Sequence, residues 1–198
     1  MFRKMIALTV VAGAAVLPAQ APAAASAGES SATQLLRLRA GLTLEIPARW
    51  RVYGTADRVH VVTGPCRDPR GGFFTPRCAG FWVMGPKALK TGGEGFRRYN
   101  PVNGPFYPTS DVAPCPTNPK YGQVIGKAIV VSRRGVGAWH KAHYRVWPGR
   151  CVSYSTGAQK STFKQREWYL AKERILIVDQ WNTPGLATVL KNAVWENR

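Results

Sequence analysis

Ten carboxylates, three histidines and four cysteines hold most of the chemistry this chain could perform. Acid–base catalysis needs two carboxylates, or a carboxylate beside a histidine, in one place. Glu167 and Asp179 are the candidate pair, because a polar turn at 171–174 folds their two segments together. With a histidine they would make a hydrolytic centre. In so basic a chain they are expected instead to pair with neighbours such as Arg166 or Lys164. His140 and His143 lie three apart on an expected strand, where side chains alternate faces, so they point to opposite sides. No Cys-x-x-Cys pair exists either, and neither a metal nor a cofactor is expected. The chain also lacks the Gly-x-Ser-x-Gly elbow and the Gly-x-x-x-x-Gly-Lys loop of nucleophilic and phosphate chemistry.

Binding chemistry is better represented. Period two puts Trp139, Lys141, His143, Arg145 and Trp147 on one face of a strand, with His140, Ala142, Tyr144 and Val146 on the other. Aromatic and cationic groups in alternation can stack on sugars or bases while neutralising phosphates or carboxylates. A second candidate is the loop Phe96-Arg97-Arg98-Tyr99, where arginines sit beside aromatics. A third is Arg67-Asp68-Pro69-Arg70, which an inhibitor could offer to a protease.

The elements that must position these groups are mostly strands. Leu42, Leu44 and Ile46 alternate with polar residues, and Pro47 ends the run. Residues 50–53, 58–63 and 81–84 make further short strands between Gly/Pro stops. Residues 85–123 are rich in Gly and Pro and form a long irregular loop. Beyond it, 124–131, 139–147, 151–155, 163–170 and 175–181 read as an antiparallel meander, with a turn at Pro148-Gly149. Thr183 and Pro184 start a helix whose stripe is Leu186, Val189, Leu190, Ala193 and Val194, ending toward Lys191 and Arg198. The expected fold is α+β: a curved antiparallel sheet of about six or seven strands, with this helix packed on one face.

The start of the chain sets the compartment. Arg3 and Lys4 precede an apolar run, Met5–Leu17, of about 13 residues, short of the roughly 20 a bilayer core requires. Ala25-Ser26-Ala27 closes the pattern of a secretory signal peptide spanning 1–27. Residues 28–40 are then a flexible segment and 41–198 a single domain. No transmembrane segment follows, and a secreted, extracellular protein is expected. Export makes Cys66, Cys78, Cys115 and Cys151 two disulfides. Three pairings are open, of which Cys66–Cys78 and Cys115–Cys151 are favoured. The formal charge of +18 falls to +16 without Arg3 and Lys4. Such a field attracts polyanions, and outside a cell these are wall polymers or free nucleic acid.

The segment Gly41-Leu42-Thr43-Leu44-Glu45-Ile46-Pro47-x-x-Trp50-Arg51-Val52 resembles the opening of small secreted actinobacterial proteins of the PsbP-like α/β sandwich group. Arg166-Glu167-Trp168-Tyr169-Leu170, turning into Ile175-Leu176-Ile177-Val178-Asp179 and a closing helix, is the other matching part. The resemblance covers residues 41–64 and 124–196 and implies a curved antiparallel sheet with a non-catalytic binding or assembly role. It carries no catalytic residue, and 65–123 depart from the pattern. Together these readings predict a non-enzymatic exported protein with affinity for anionic polymers.

Overall fold

Alternation of apolar and polar residues places the strands, and their period of two decides what each strand buries. The computed structural model describes residues 32–55 and 57–196; the expected leader, residues 28–31 and Arg198 lie outside them. Among the described residues the chain is mostly β, with eleven strands in two antiparallel sheets. In chain order they are β1 (Thr33–Arg37), β2 (Leu42–Pro47), β3 (Arg51–Thr55), β4 (Arg58–Cys66), β5 (Cys78–Met84), β6 (Tyr121–Ile125), β7 (Val130–Val136), β8 (His140–Ser153), β9 (Gln159–Leu170), β10 (Ile175–Asp179) and β11 (Val194–Trp195). The small sheet runs β1-β2-β11. The large one runs β3-β4-β5-β10-β9-β8-β6, and β7 also pairs with β8.

The large sheet is covered on both faces. Its strand β10 lies between β5 and β9, and all five of its residues are buried. Ile175 and Ile177 join Val61, Phe81, Trp168 and Tyr144 in one apolar cluster with Leu42, Leu44 and Ile46 of the small sheet. Leu176 and Val178, pointing the other way, join Met84, Tyr99, Phe106, Ala88 and Leu89 in a second. The cover there is the loop between β5 and β6, which includes the five-residue helix α1 (Pro86–Lys90). Each fully buried large apolar side chain contributes about 1.5–3 kcal/mol.

Several expectations are corrected. Residues 33–37 are not flexible: they form β1, because Leu36 is buried in the first cluster and the strand pairs along β2 from Thr33↔Pro47 to Arg37↔Thr43. The strands outnumber the six or seven expected. Residues 124–131 are not one strand, since pairing with β8 stops at Ile125 and resumes at Val130. Pro148-Gly149 is no turn but the interior of the 14-residue β8. Proline lacks the N–H that a ladder needs. The Pro148 carbonyl, on the same side as that missing donor, accepts from Gly126 at 2.8 Å, so the proline faces the junction between β6 and β7 and no ladder bond is lost.

The closing helix is also shorter than expected. Thr183 does not cap it: its amide and hydroxyl donate to the Asp179 carboxylate. Helix α2 spans only Leu186–Lys191, after Gly185 at a φ of 78°. Leu186 and Leu190 are buried, but six residues cannot cover a sheet face, and the small sheet does so instead. Val194, assigned to the helical stripe, is in β11, where it pairs with Thr43. That approach needs a glycine at position 41, where φ is 78° and a Cβ would lie 2.6 Å from the Glu196 carbonyl oxygen.

Both favoured disulfides are present. Cys66–Cys78 joins direct cross-strand partners of β4 and β5, and Cys115–Cys151 ties the long loop to β8. No helix among the described residues is long and apolar enough to cross a membrane.

Candidate functional site

The two carboxylates that hydrolysis would require are held apart by strand register. Arg166 of β9 is opposite Asp179 of β10, and Glu167 is opposite Val178. Glu167 and Asp179 therefore point to opposite faces of the large sheet. Asp179 is ion-paired with Arg166, as expected for a carboxylate in this chain, and it also accepts from the Trp181 amide at 2.9 Å. It serves as the acceptor that closes the turn into α2.

Glu167 is almost wholly buried and has no cationic partner among the described residues. Four donors surround it. Oε2 accepts from the Tyr99 hydroxyl at 2.8 Å and from Trp147 Nε1 at 2.9 Å. Oε1 accepts from the Phe106 amide at 2.6 Å and from Gln165 Nε2 at 2.7 Å. Burial pushes its pKa above the ordinary carboxylate value, and these hydrogen bonds oppose the rise without cancelling it. Burial beside Glu167 also holds the Tyr99 phenol well above its usual range.

The network continues through glutamines. Gln180 Nε2 donates to Gln165 Oε1 at 2.7 Å and to Gln123 Oε1 at 3.1 Å, and Gln123 Nε2 donates to the Pro114 carbonyl at 3.1 Å. Gln165 Nε2 also reaches the Phe106 carbonyl at 2.9 Å. The chain of side chains thus fixes residues 99–114 onto the sheet at three backbone atoms.

This pinned strap divides the loop-covered face into two clefts. Pro105 and Tyr107 face one, of about 670 Å³, whose wall carries Arg97, Arg98, Lys127 and the edge of Trp147. Phe106 and Pro108 face the other, of about 760 Å³, with Tyr53, Phe73, Phe74 and Trp82. Both volumes fall in the range of ligand-binding clefts.

The expected strand face is only partly realised. Lys141, His143 and Arg145 share a side of β8, joined by Arg133 opposite His143. Partial burial, then Arg133 and Arg145, lower the His143 pKa. Trp139 precedes the strand, in the turn after β7, and is 92% exposed. Trp147 is 5% exposed and committed to Glu167. The aromatic ends of the stripe are thus missing, and Trp147 joins Arg97 and Arg98 around the first cleft instead.

No group of three metal-ligating side chains exists among the described residues. His60 stacks on Trp82 at 4.2 Å, and its Nδ1 donates to the Pro69 carbonyl at 3.1 Å. Burial lowers its pKa. His140 stacks on Trp195 and meets Glu173 at 3.4 Å. The Arg67–Arg70 segment contains a tight turn, with the Gly71 amide donating to the Asp68 carbonyl at 3.2 Å. Arg67, Asp68 and Arg70 are exposed.

Sequence reasoning missed Tyr99, Gln123, Gln165 and Gln180 as a unit. No local signal marks them, because each is polar or amphipathic on a strand or loop and most of their partners are distant in sequence. No family model, no curated protein and no solved structure matches this chain.

Proposed function

We propose that this is a secreted, non-enzymatic protein that binds anionic polymers, with the Arg97, Arg98 and Lys127 cleft as the binding surface and Lys141 and Arg145 of β8 as further cations. A wall polymer or extracellular nucleic acid is the partner of matching charge and compartment. The observation that carries the reading is how the charges are used. The buried carboxylates face opposite ways and are saturated, whereas Arg37 and Arg166 are the lysines or arginines found within 4.0 Å of a carboxylate among the described residues. Arg97, Arg98 and Lys127 have no carboxylate within 4.0 Å among the described residues, although Glu94 and Asp111 also line their cleft. The two disulfides, and the lack among the described residues of a helix long and apolar enough to cross a membrane, are compatible with export. The PsbP-like resemblance implies a binding role as well.

The test is titration with duplex DNA and with an anionic wall polymer across a salt series. Log affinity should fall linearly with log salt. Replacing Arg97 and Arg98 by alanine should lower that slope by about one for each phosphate the two arginines neutralise. Affinity indifferent to ionic strength would end the proposal.

A further inference from the structure

The second cleft differs from the first in kind. Its walls are rings: Tyr53 from β3, Trp82 from β5, Phe73 and Phe74 from the loop closed by Cys66–Cys78, Phe106 from the strap and Phe96 just before it. The rings brace one another edge to face. Phe73 lies 4.9 Å from Phe106 at 86° and 6.2 Å from Trp82 at 67°. Such packing fixes ring positions, so the cleft is formed before any ligand arrives. Phe96 remains 55% exposed at its rim. Two cations, Arg58 and Arg70, complete the wall, and no carboxylate among the described residues lines it. Neither arginine has a carboxylate within 4.0 Å among the described residues.

An apolar, preformed cleft edged by two unpaired guanidinium groups has a defined complement. We infer that this cleft binds a small amphipathic anion, an apolar body bearing one carboxylate or phosphate group, with the body among Phe73, Trp82 and Phe106 and the anionic group at Arg58 and Arg70. The cleft is independent of the polymer surface, because Arg97, Arg98 and Lys127 lie across the strap. A neutral apolar ligand would leave the arginines unanswered. A bare inorganic anion would leave the rings exposed to water. Guanidinium groups favour carboxylate and phosphate by forked hydrogen bonds, and the body gains from apolar burial.

Gly72 gives a decisive variant. It lines the cleft, its φ lies outside the left-handed range, and an added Cβ meets nothing within 4 Å. Gly72→Trp would therefore add a large ring at the cleft wall without a clash at its Cβ and without altering charge. The probes are dodecanoate, dodecyl phosphate, 1-naphthoate and the uncharged dodecanol, measured by calorimetry on the mature disulfide-bonded protein. At least one anion should bind at one site, and dodecanol should bind about tenfold or more weakly, as the loss of a hydrogen bond to a charged group predicts. Dodecanoate and 1-naphthoate distinguish an acyl body from a ring body. Replacing Arg58 and Arg70 together by alanine should erase the preference for the anion, and Gly72→Trp should abolish binding. Both variants should retain DNA affinity if the polymer reading holds, so the two proposals fail separately. Equal binding of dodecanoate and dodecanol, no binding of any anion, or full binding by Gly72→Trp with its fold intact by circular dichroism would overturn the inference.

Discussion

On one face of the large sheet, Val61, Phe81 and Ile177 meet Leu44 and Ile46 of another sheet. On the opposite face, Leu176 and Val178 meet Tyr99 and Phe106 of a loop. The first cover brings a backbone whose hydrogen bonds are largely made within its own strands, and apolar side chains suffice to seal it. The second brings irregular backbone into the interior, and each buried N–H or C=O then requires a partner. Glu167 answers the Phe106 amide, Gln165 the Phe106 carbonyl and Gln123 the Pro114 carbonyl. A buried carboxylate that looks catalytic in isolation is thereby explained by the type of cover above it.

The contrast can be broken by substitution. Phe81→Ala, on the sheet-covered face, should cost about 3–5 kcal/mol in denaturant unfolding, through reduced burial and a residual cavity. Glu167→Gln should cost less, about 1–3 kcal/mol, because an amide keeps one acceptor but leaves a donor of the loop-covered face unmatched. An equal or larger loss for Glu167→Gln would mean that the polar chain, and not apolar packing, dominates stability.

A smaller effect sharpens the point. The folded pKa of Glu167 is raised by burial, so the folded protein holds that proton more tightly than the unfolded chain. Its contribution is fully present below the unfolded carboxylate value and is lost as pH rises through the folded one. The stability difference between wild type and Glu167→Gln should therefore shift toward the variant as pH rises across that window, as read from urea midpoints. A constant difference would show that burial does not penalise the charged form. Smallest of all, Trp139→Ala should change stability by no more than about 0.5 kcal/mol, despite the size of the side chain, since it stands in solvent.

Legibility in the sequence follows the same division. Leu42, Leu44, Ile46 and residues 175–178 disclosed the central strands because one-face or two-face burial leaves a mark in the apolar pattern. Cysteine spacing favoured the bridges that form. The loop-covered face left no such mark. Gln180 is 15 and 57 residues from Gln165 and Gln123, Gln165 is 59 from Phe106, and all three glutamines have the composition of exposed strand positions. Trp147 looked like the end of an exposed stripe because its partner, Glu167, is 20 residues away. Strand β11, only two residues long, is below any pattern, and it exists because β2 offers an edge. Arg97 and Arg98 were found from composition alone, while their cleft required the folded strap to become visible.

The junction at residues 126–129 has one more consequence. Strands β6 and β7 share a single edge of β8, and between them the chain steps away where Pro148 offers no donor. Because side-chain facing repeats every two residues, inserting an odd number of residues inside a strand inverts everything beyond it. Here the ladder is already interrupted, and Gly126 and Lys127 are exposed. This is the natural port for a spliced-in peptide or fluorophore, which would sit on the lip of the Arg97/Arg98 cleft and report its occupancy.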